Sequence, residues 1–403
     1  MKRPHVLALG RAGYGAFRSA DGRPYLDPAR YEVTFVVPPG AASLPDRDEV
    51  SRVVTAPLLE EQAVADLIPL LKQGPEVHRV VALNERLLLP AARIRTALGL
   101  AGLTEEQTLL LRDKTRMKRH FARYGVRVPA FAEIDRPWDA APLLAEYGKI
   151  VLKPVDAAGS IGVHIVDDER SLRRLDEAGL GHEGRYEAEE FVEGDLHHVD
   201  SVVRDGRPVT VMASRYLDPN HVFPWGGHCR SVALGEGAER EVLLEANRRV
   251  LAALEWFSGV THLEVFLNRR GEPVFCEVAG RAGGGGVVPA FRHRFGTDLR
   301  QTVLMSQLGL ALPSASARPP MERRATGWSV IYPPEPGPFQ SSEHVPRPEW
   351  LLDLKLRRKP GEVLTAARSF ADGVAVATVC GPDPFRVAHR LDRVKDSLVG
   401  AAP

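Results

Sequence analysis

Over the first hundred positions apolar residues arrive in two alternating kinds of stretch. Short runs at residues 6–9, 32–37 and 79–83 have strand length, and the longer stretches 58–71 and 87–98 carry helical spacing. That alternation restricts the segment to an α/β arrangement with a parallel sheet, because parallel neighbours need a crossover between them. Gly10, Gly13 and Gly15 follow the first run with GxxGxG spacing instead of GxGxxG. This spacing favours a plain strand-to-helix turn over a nicotinamide or flavin site.

The rhythm then changes. A helix is expected from residue 112, with Met117, Phe121 and Tyr124 on one face and Gly125 as its stop. Strand-like runs follow at 150–153, 163–166, 187–192, 199–203, 209–213, 261–267 and 274–278, broken by a helix at 239–254, which describes an antiparallel α+β region. Residues 311–320 are rich in Pro, Ser and Ala and read as a linker. Beyond them come strands near 327–332 and 374–380, and a last helix capped by Asp383 with Pro384 at its first position. The expected fold class is α/β plus α+β in three segments, 1–105, 106–310 and 311–403.

The 53 Lys+Arg are balanced by 52 Asp+Glu, so no nucleic acid partner is expected. Cys229, Cys276 and Cys380 are odd in number and lack CxxC spacing, which points to structural thiols in a reducing cytoplasm rather than disulfides or a zinc site. The run at 6–9 soon meets Arg11 and is too short for an export signal. The longest uncharged stretch, 301–317, contains Gln, Ser and Pro and does not suit a membrane span. No membrane partner is expected, and a homodimer is left open.

Three places carry chemistry. Residues 150–163 read as a strand bearing Lys153, a small-residue loop (Asp156 to Gly162, with Gly159 and Ser160) and a second strand. Such a loop lets backbone N–H groups approach phosphate oxygens, although it also suits a mobile hairpin. Residues 260–279 read as a hairpin. If its turn centres on Arg270 and Gly271, Glu264 and Glu277 face each other, sharing a face with His262, Phe266 and Phe275, while Cys276 lies on the opposite face. Facing carboxylates repel unless a cation lies between them, and magnesium is the simplest one that also takes phosphate oxygens; two solvated carboxylates on an open face are the alternative. Arg281 and the glycines 283–286 follow, offering a guanidinium fork and backbone donors, or a flexible linker.

In this order the motifs resemble the ATP-grasp superfamily over residues 108 to 300. The resemblance implies ATP and Mg2+ as cofactors. It implies that Lys114 (in Arg-Asp-Lys) and Lys153 contact ATP phosphates, with Gly159, Ser160 and Gly162 in the loop that covers them. Glu189-Glu190-Phe191-Val192 matches the adenine hinge, Glu264 and Glu277 the metal carboxylates, and Arg281 the catalytic arginine, acting with Lys153. Two positions depart from the family pattern: Ala279 replaces an Asn, which bears on a second magnesium ion, and Leu196 replaces the ribose-binding Glu, which leaves Asp195, His198 or Asp200 for the ribose.

The Glu-x-Ala-x-Arg ending is similar to the carboxylate–amine (L-amino-acid) ligase branch. The partners implied are therefore a small-molecule carboxylate and an amine, joined through an acylphosphate. His228, Arg230, Arg281, Gly283 and Gly284 are the residues expected to meet substrate. In the same reading 1–105 is a Rossmann-like domain, 106–310 the ATP-grasp domain and 311–403 a small C-terminal α+β domain. An ATP-grasp carboxylase, a purine-biosynthesis-type ligase and a non-catalytic nucleotide-binding module are the alternatives.

Overall fold

The computed structural model describes residues 3–181, 184–314, 325–340 and 346–399. Strands β1 (His5–Leu9), β2 (Glu32–Val37), β3 (Arg52–Thr55) and β4 (Arg79–Ala82) form a parallel sheet in the order β3-β2-β1-β4. Helices α1 (Glu61–Gln73) and α2 (Leu88–Leu98) pack against it over Leu7, Leu9, Val80 and Ile94. The predicted strand-to-helix turn after β1 is a short 3-10 turn, Tyr14–Phe17. Gly13 there has φ 142°, and a Cβ on it would come within 2.5 Å of the Ser43 carbonyl oxygen. With no α-helix beginning at this turn, the pyrophosphate seat of a dinucleotide fold is missing.

The next segment begins with α3 (Glu105–Leu110) and α4 (Lys114–Arg123), the second capped by Asp113, which accepts the Arg116 N–H at 3.0 Å. Strand β5 (Phe131–Ile134), helix α5 (Ala141–Tyr147), strands β6 (Ile150–Pro154) and β7 (His164–Val166), helix α6 (Glu169–Glu177) and strand β8 (Tyr186–Glu190) follow. The four strands pair antiparallel in the order β5-β8-β6-β7, and Leu144, Ile150, Leu152 and Leu172 bury one face.

The central sheet has eight antiparallel strands. In chain order they are β9 (Gly194–Arg204), β10 (Arg207–Tyr216), β11 (His228–Ala233), β12 (Gly259–Asn268), β13 (Pro273–Ala279), β14 (Ala325–Ile331), β16 (Leu351–Leu356) and β18 (Ala375–Gly381), with the short pair β15 (Gly337–Pro338) and β17 (Val363–Leu364) outside it. The spatial order is β13-β12-β9-β10-β11-β14-β18-β16. Helix α7 (Ala238–Ala252) covers one face, α8 (Val287–Phe295) and α9 (Leu299–Gln307) the other, and α10 (Pro384–Val399) packs on β14 and β18.

The segment after 311 does not stand apart. β14 pairs with β11, so this chain segment extends the central sheet and satisfies a strand edge that would otherwise be open. Residues 311–314 are irregular, and the rest of the predicted linker lies outside the described residues. The parallel sheet is tied in as well: the Gln307 side chain bonds both the Ala82 N–H at 2.7 Å and its C=O at 2.9 Å, closing the edge of β4.

Candidate active site

The β12–β13 hairpin places Glu264 opposite Glu277. Its turn is not centred where the sequence reading put it. The Gly271 N–H bonds Asn268 O at 2.8 Å and Gly271 has φ 73°, so residues 269–271 form a three-residue loop with a left-handed glycine. That loop alone would set Glu264 against Cys276. A bulge between Glu264 and Val265 absorbs one residue and restores the pairing. The bulge also exchanges two side chains: Phe275 joins Leu263 and Val265 in the core, and Cys276 lines the cavity, the reverse of the expected faces.

The carboxylates open onto a cavity of about 550 Å3 lined by β6 and β8 on one side and by β10, β12 and β13 on the other. Lys114, first residue of α4, enters from its capped N-terminus and reaches Glu277 Oε2 at 3.3 Å and the Ala157 carbonyl at 2.6 Å. Lys153 on β6 bonds Glu189 Oε1 at 2.5 Å, and the other Glu189 oxygen accepts from Lys118. Lys118 also reaches Glu187 at 2.6 Å with no exposed side-chain surface. Burial works against the Glu189 charge, but Lys118 and Lys153 outweigh it and hold the carboxyl at about 2. Lys118 was missed; its place one helical turn after Lys114 was the available signal.

The hinge follows β8. The Glu190 carboxylate accepts the Ala130 N–H at 2.9 Å, the Phe191 N–H bonds Lys149 O at 3.1 Å, and the Lys149 ammonium sits 4.0 Å over the Phe191 ring. Glu190, Phe191 and Val192 all line the cavity. Asp200 does not reach it. This residue is fully buried between His198 Nδ1 at 2.7 Å and His262 Nδ1 at 2.8 Å, so it cannot meet a ribose, and His198 is buried with it. Of the three ribose candidates only Asp195 lines the cavity. Although burial disfavours charge on His262, Asp200 and then Glu264 raise it to about 10, giving Glu264 a fixed cationic neighbour at 3.6 Å. Tyr216 donates to the same Glu264 oxygen at 2.8 Å.

Arg281 lines the cavity and is held from the parallel sheet, its Nε bonding Glu85 Oε2 at 2.6 Å. Arg112 takes the other Glu85 oxygen at 2.5 Å. Burial opposes ionisation of Glu85, yet Arg281 and then Arg112 bring it down to about 2. Glu85 was also missed; its position just beyond a parallel strand was the signal. The glycine run is not a linker. A Cβ on Gly283 would lie 2.7 Å from His262 Nδ1, and one on Gly286 2.3 Å from Trp328 Cβ, so the chain needs small residues to pass these side chains. Gly284 lines the cavity and Gly283 is turned to the His262–Asp200 pair.

His228 and Arg230 are not in the predicted place. They belong to β11, not to a loop, and do not line the cavity: Arg230 pairs with the cavity-wall residue Asp218 at 2.8 Å and with Asp392 at 3.0 Å, and His228 with Asp392 at 3.2 Å, which ties β11 to α10. The wall expected from them is made by Tyr216, Trp328 and Phe370. Gly159 and Ser160 form the rim opposite; Gly162, expected with them, does not line the cavity and is packed close to Pro154 and Tyr186, and all three have left-handed φ. Two hydrogen bonds cross from this loop, Phe370 N–H to Gly159 O at 3.3 Å and Ser160 Oγ to Asn220 O at 3.0 Å.

Two antiparallel sheets gripping a cavity lined by lysines and facing carboxylates define a nucleotide-binding class of enzyme. Residues 111–285 match the ATP-grasp domain family, and the chain resembles the L-amino-acid ligases of that superfamily. It is 26% identical over 350 residues to the L-arginine-specific L-amino acid ligase of Bacillus subtilis, covering 82% of this chain and 81% of the relative. It is 26% identical over 270 residues to an alanine–anticapsin ligase of Bacillus subtilis, covering 61% of this chain and 57% of that relative. In fold it is similar to the L-amino acid ligase from Bacillus licheniformis, with TM-score 0.78, 21% identity and coverage of 99% and 98% of the two chains. Phosphoribosylglycinamide synthetase from Anaerococcus prevotii shares the fold at TM-score 0.69 and 13% identity, over 98% and 99% of the chains.

Proposed function

We propose that the protein is an ATP-dependent carboxylate–amine ligase that forms an amide from an amino acid carboxylate through an acylphosphate. The observation that carries this reading is the register that sets Glu264 against Glu277 inside a cavity which also holds Lys114, Lys153 and Arg281. The substrate carboxylate oxygen attacks the γ-phosphorus, and the bond to the β-phosphate oxygen breaks to leave ADP. The amine nitrogen then attacks the acyl carbon, the carbon–oxygen bond to phosphate breaks, and the amine proton passes to solvent. Positioning and charge neutralisation supply the catalysis, with no covalent enzyme intermediate.

Lys114 and Lys153 hold nucleotide phosphates, the backbone of Glu190 to Val192 meets adenine, and Asp195 is the group placed for ribose. Arg281 neutralises the transferring phosphoryl group. Glu264 and Glu277 fit magnesium, being an all-oxygen pair at the cavity wall, and the ion when bound would neutralise phosphate charge. Ala279 adds no donor beside Glu277, which favours one ion held by protein over two. No helix among the described residues is long and apolar enough to cross a membrane. Three free thiols fit a cytoplasmic site of action.

The test is ADP release with magnesium, using a panel of amino acids with and without an amine and bicarbonate as a separate arm. Release that requires both acid and amine, with amide product, is expected, and Glu277→Gln should abolish it while leaving the circular dichroism spectrum unchanged. Release driven by bicarbonate alone would replace the ligase reading with a carboxylase.

A further inference from the structure

The two oxygens of Glu264 have different surroundings. Tyr216 donates its phenol O–H to Oε1 at 2.8 Å, and His262 Nε2 stands 3.6 Å from the same oxygen. Oε2 has no hydrogen bond or ion pair among the described residues. The phenol comes from the end of β10, and β9 lies between it and β12. Its side chain therefore crosses two strand spacings, about 10 Å, to reach that one oxygen.

Buried neighbours hold the phenol in this place. The His198 ring lies 5.1 Å from it between centroids, and Trp328 meets it edge-on at 5.9 Å. His198 is itself fixed at both nitrogens, Nδ1 on Asp200 at 2.7 Å and Nε2 on Ser231 at 2.7 Å. The other Asp200 oxygen takes His262 Nδ1 at 2.8 Å, so one fully buried carboxylate orients both histidines beside Glu264. Although His198, Asp200 and His262 are close enough together to suggest a metal site, each Asp200 oxygen is already at hydrogen-bond distance from one Nδ1. The three act as a rigid frame, and the glycine run is packed onto it at Gly283.

The consequence falls on the ion that Glu264 can take. Calcium gathers about six to eight oxygens and accepts carboxylates through one oxygen or both, whereas magnesium keeps several waters and uses one or two carboxylates. A carboxylate with one oxygen committed to a phenol suits the second ion and penalises the first. We infer that Tyr216 is a positioning residue that reserves Glu264 Oε1 and thereby makes the site select magnesium over calcium. This rests on Glu264 being a metal carboxylate, so the experiment carries a control for that reading.

ADP is titrated calorimetrically into the full chain with saturating magnesium and, separately, with saturating calcium, which needs no turnover. The quantity read is the ratio of the two dissociation constants. The unmodified protein should bind ADP more tightly with magnesium. Tyr216→Phe, which removes only the hydroxyl, should narrow that ratio about fivefold or more, the scale of one hydrogen bond, chiefly by tightening the calcium complex. No preference in the unmodified protein overturns the inference. So does a ratio that Y216F leaves unchanged, including a weakening alike in both salts, which is what a merely structural phenol would give. Glu264→Gln is the control. If it leaves the metal dependence of ADP affinity as it was, Glu264 is not a metal ligand and the metal reading fails together with the inference. If it reduces that dependence while Y216F does not move the ratio, the metal reading stands and the inference alone fails.

Discussion

Glu85 and Arg281 are 196 residues apart and bonded at 2.6 Å, so the parallel sheet supplies the carboxylate that aims the arginine of the ATP-grasp cavity. The relation makes the junction between the two parts of the chain an element of the site. Gln307 fastens β4 and thereby fixes where Glu85 begins.

Glu85→Gln should cost about 2–3 kcal/mol at neutral pH, because Arg281 and Arg112 lose a shared buried partner. The pH dependence has a definite sign. Glu85 drops from an ordinary 4.5 to about 2 in the folded chain, so its contribution is full above about 4.5 and is lost as pH falls through about 2. Urea denaturation of both proteins at pH 7 and at stepwise lower pH checks this. A stability gap that widens on acidification contradicts the assignment.

The sequence was legible where the controlling physics is local. Helix α4 was readable from its spacing and stop, whereas Lys114 at its start came from the resemblance carried by Arg-Asp-Lys. The Glu264–Glu277 pair was read correctly although both the turn length and the bulge were missed, two one-residue errors that cancel. Phe275 and Cys276 show the cost, since only the bulge decides which of them enters the cavity. Asp200 and Arg230 were misplaced because their partners are distant in sequence: His262 is 62 residues from Asp200, and Asp392 is 162 from Arg230. No periodicity reports such pairings.

Lys118→Met should destabilise the chain by about 3–5 kcal/mol, since it leaves Glu187 and Glu189 buried with only Lys153 to offset them. Adding Glu187→Gln to that variant should recover part of the loss, because one of the two uncompensated charges is gone. Denaturant midpoints for the single and double variants decide it. A loss below about 1 kcal/mol would mean that this ammonium is not needed to balance the pair.

The loop from residue 156 to 162 should exchange amide hydrogens quickly without nucleotide and slow on adding ATP and magnesium. Arg112 and Lys114 bond its base at the Asp156 and Ala157 carbonyls, its tip meets the opposite wall through the Gly159–Phe370 and Ser160–Asn220 hydrogen bonds, and Ile161 is exposed. Mass-spectrometric exchange resolves this segment from its flanking strands. Exchange that nucleotide leaves unaltered would remove the loop from the phosphate site.

Arg281→Lys separates catalysis from nucleotide binding. The guanidinium spans Glu85 and the Ala282 carbonyl at 2.8 Å, and an ammonium in its place keeps the charge but loses the fork that makes both contacts. In the proposed reaction the group is needed most as charge builds on the transferring phosphoryl, so kcat should fall about a hundredfold or more, the scale for losing one preorganised donor. Affinity for ATP should change much less, because adenine meets the hinge and Lys114 and Lys153 take other phosphate oxygens. Calorimetric ATP binding alongside acid-dependent ADP release measures both quantities on one preparation. Equal losses in the two would assign Arg281 to ground-state nucleotide binding, and Glu85 would then be positioning a binding residue and not a catalytic one.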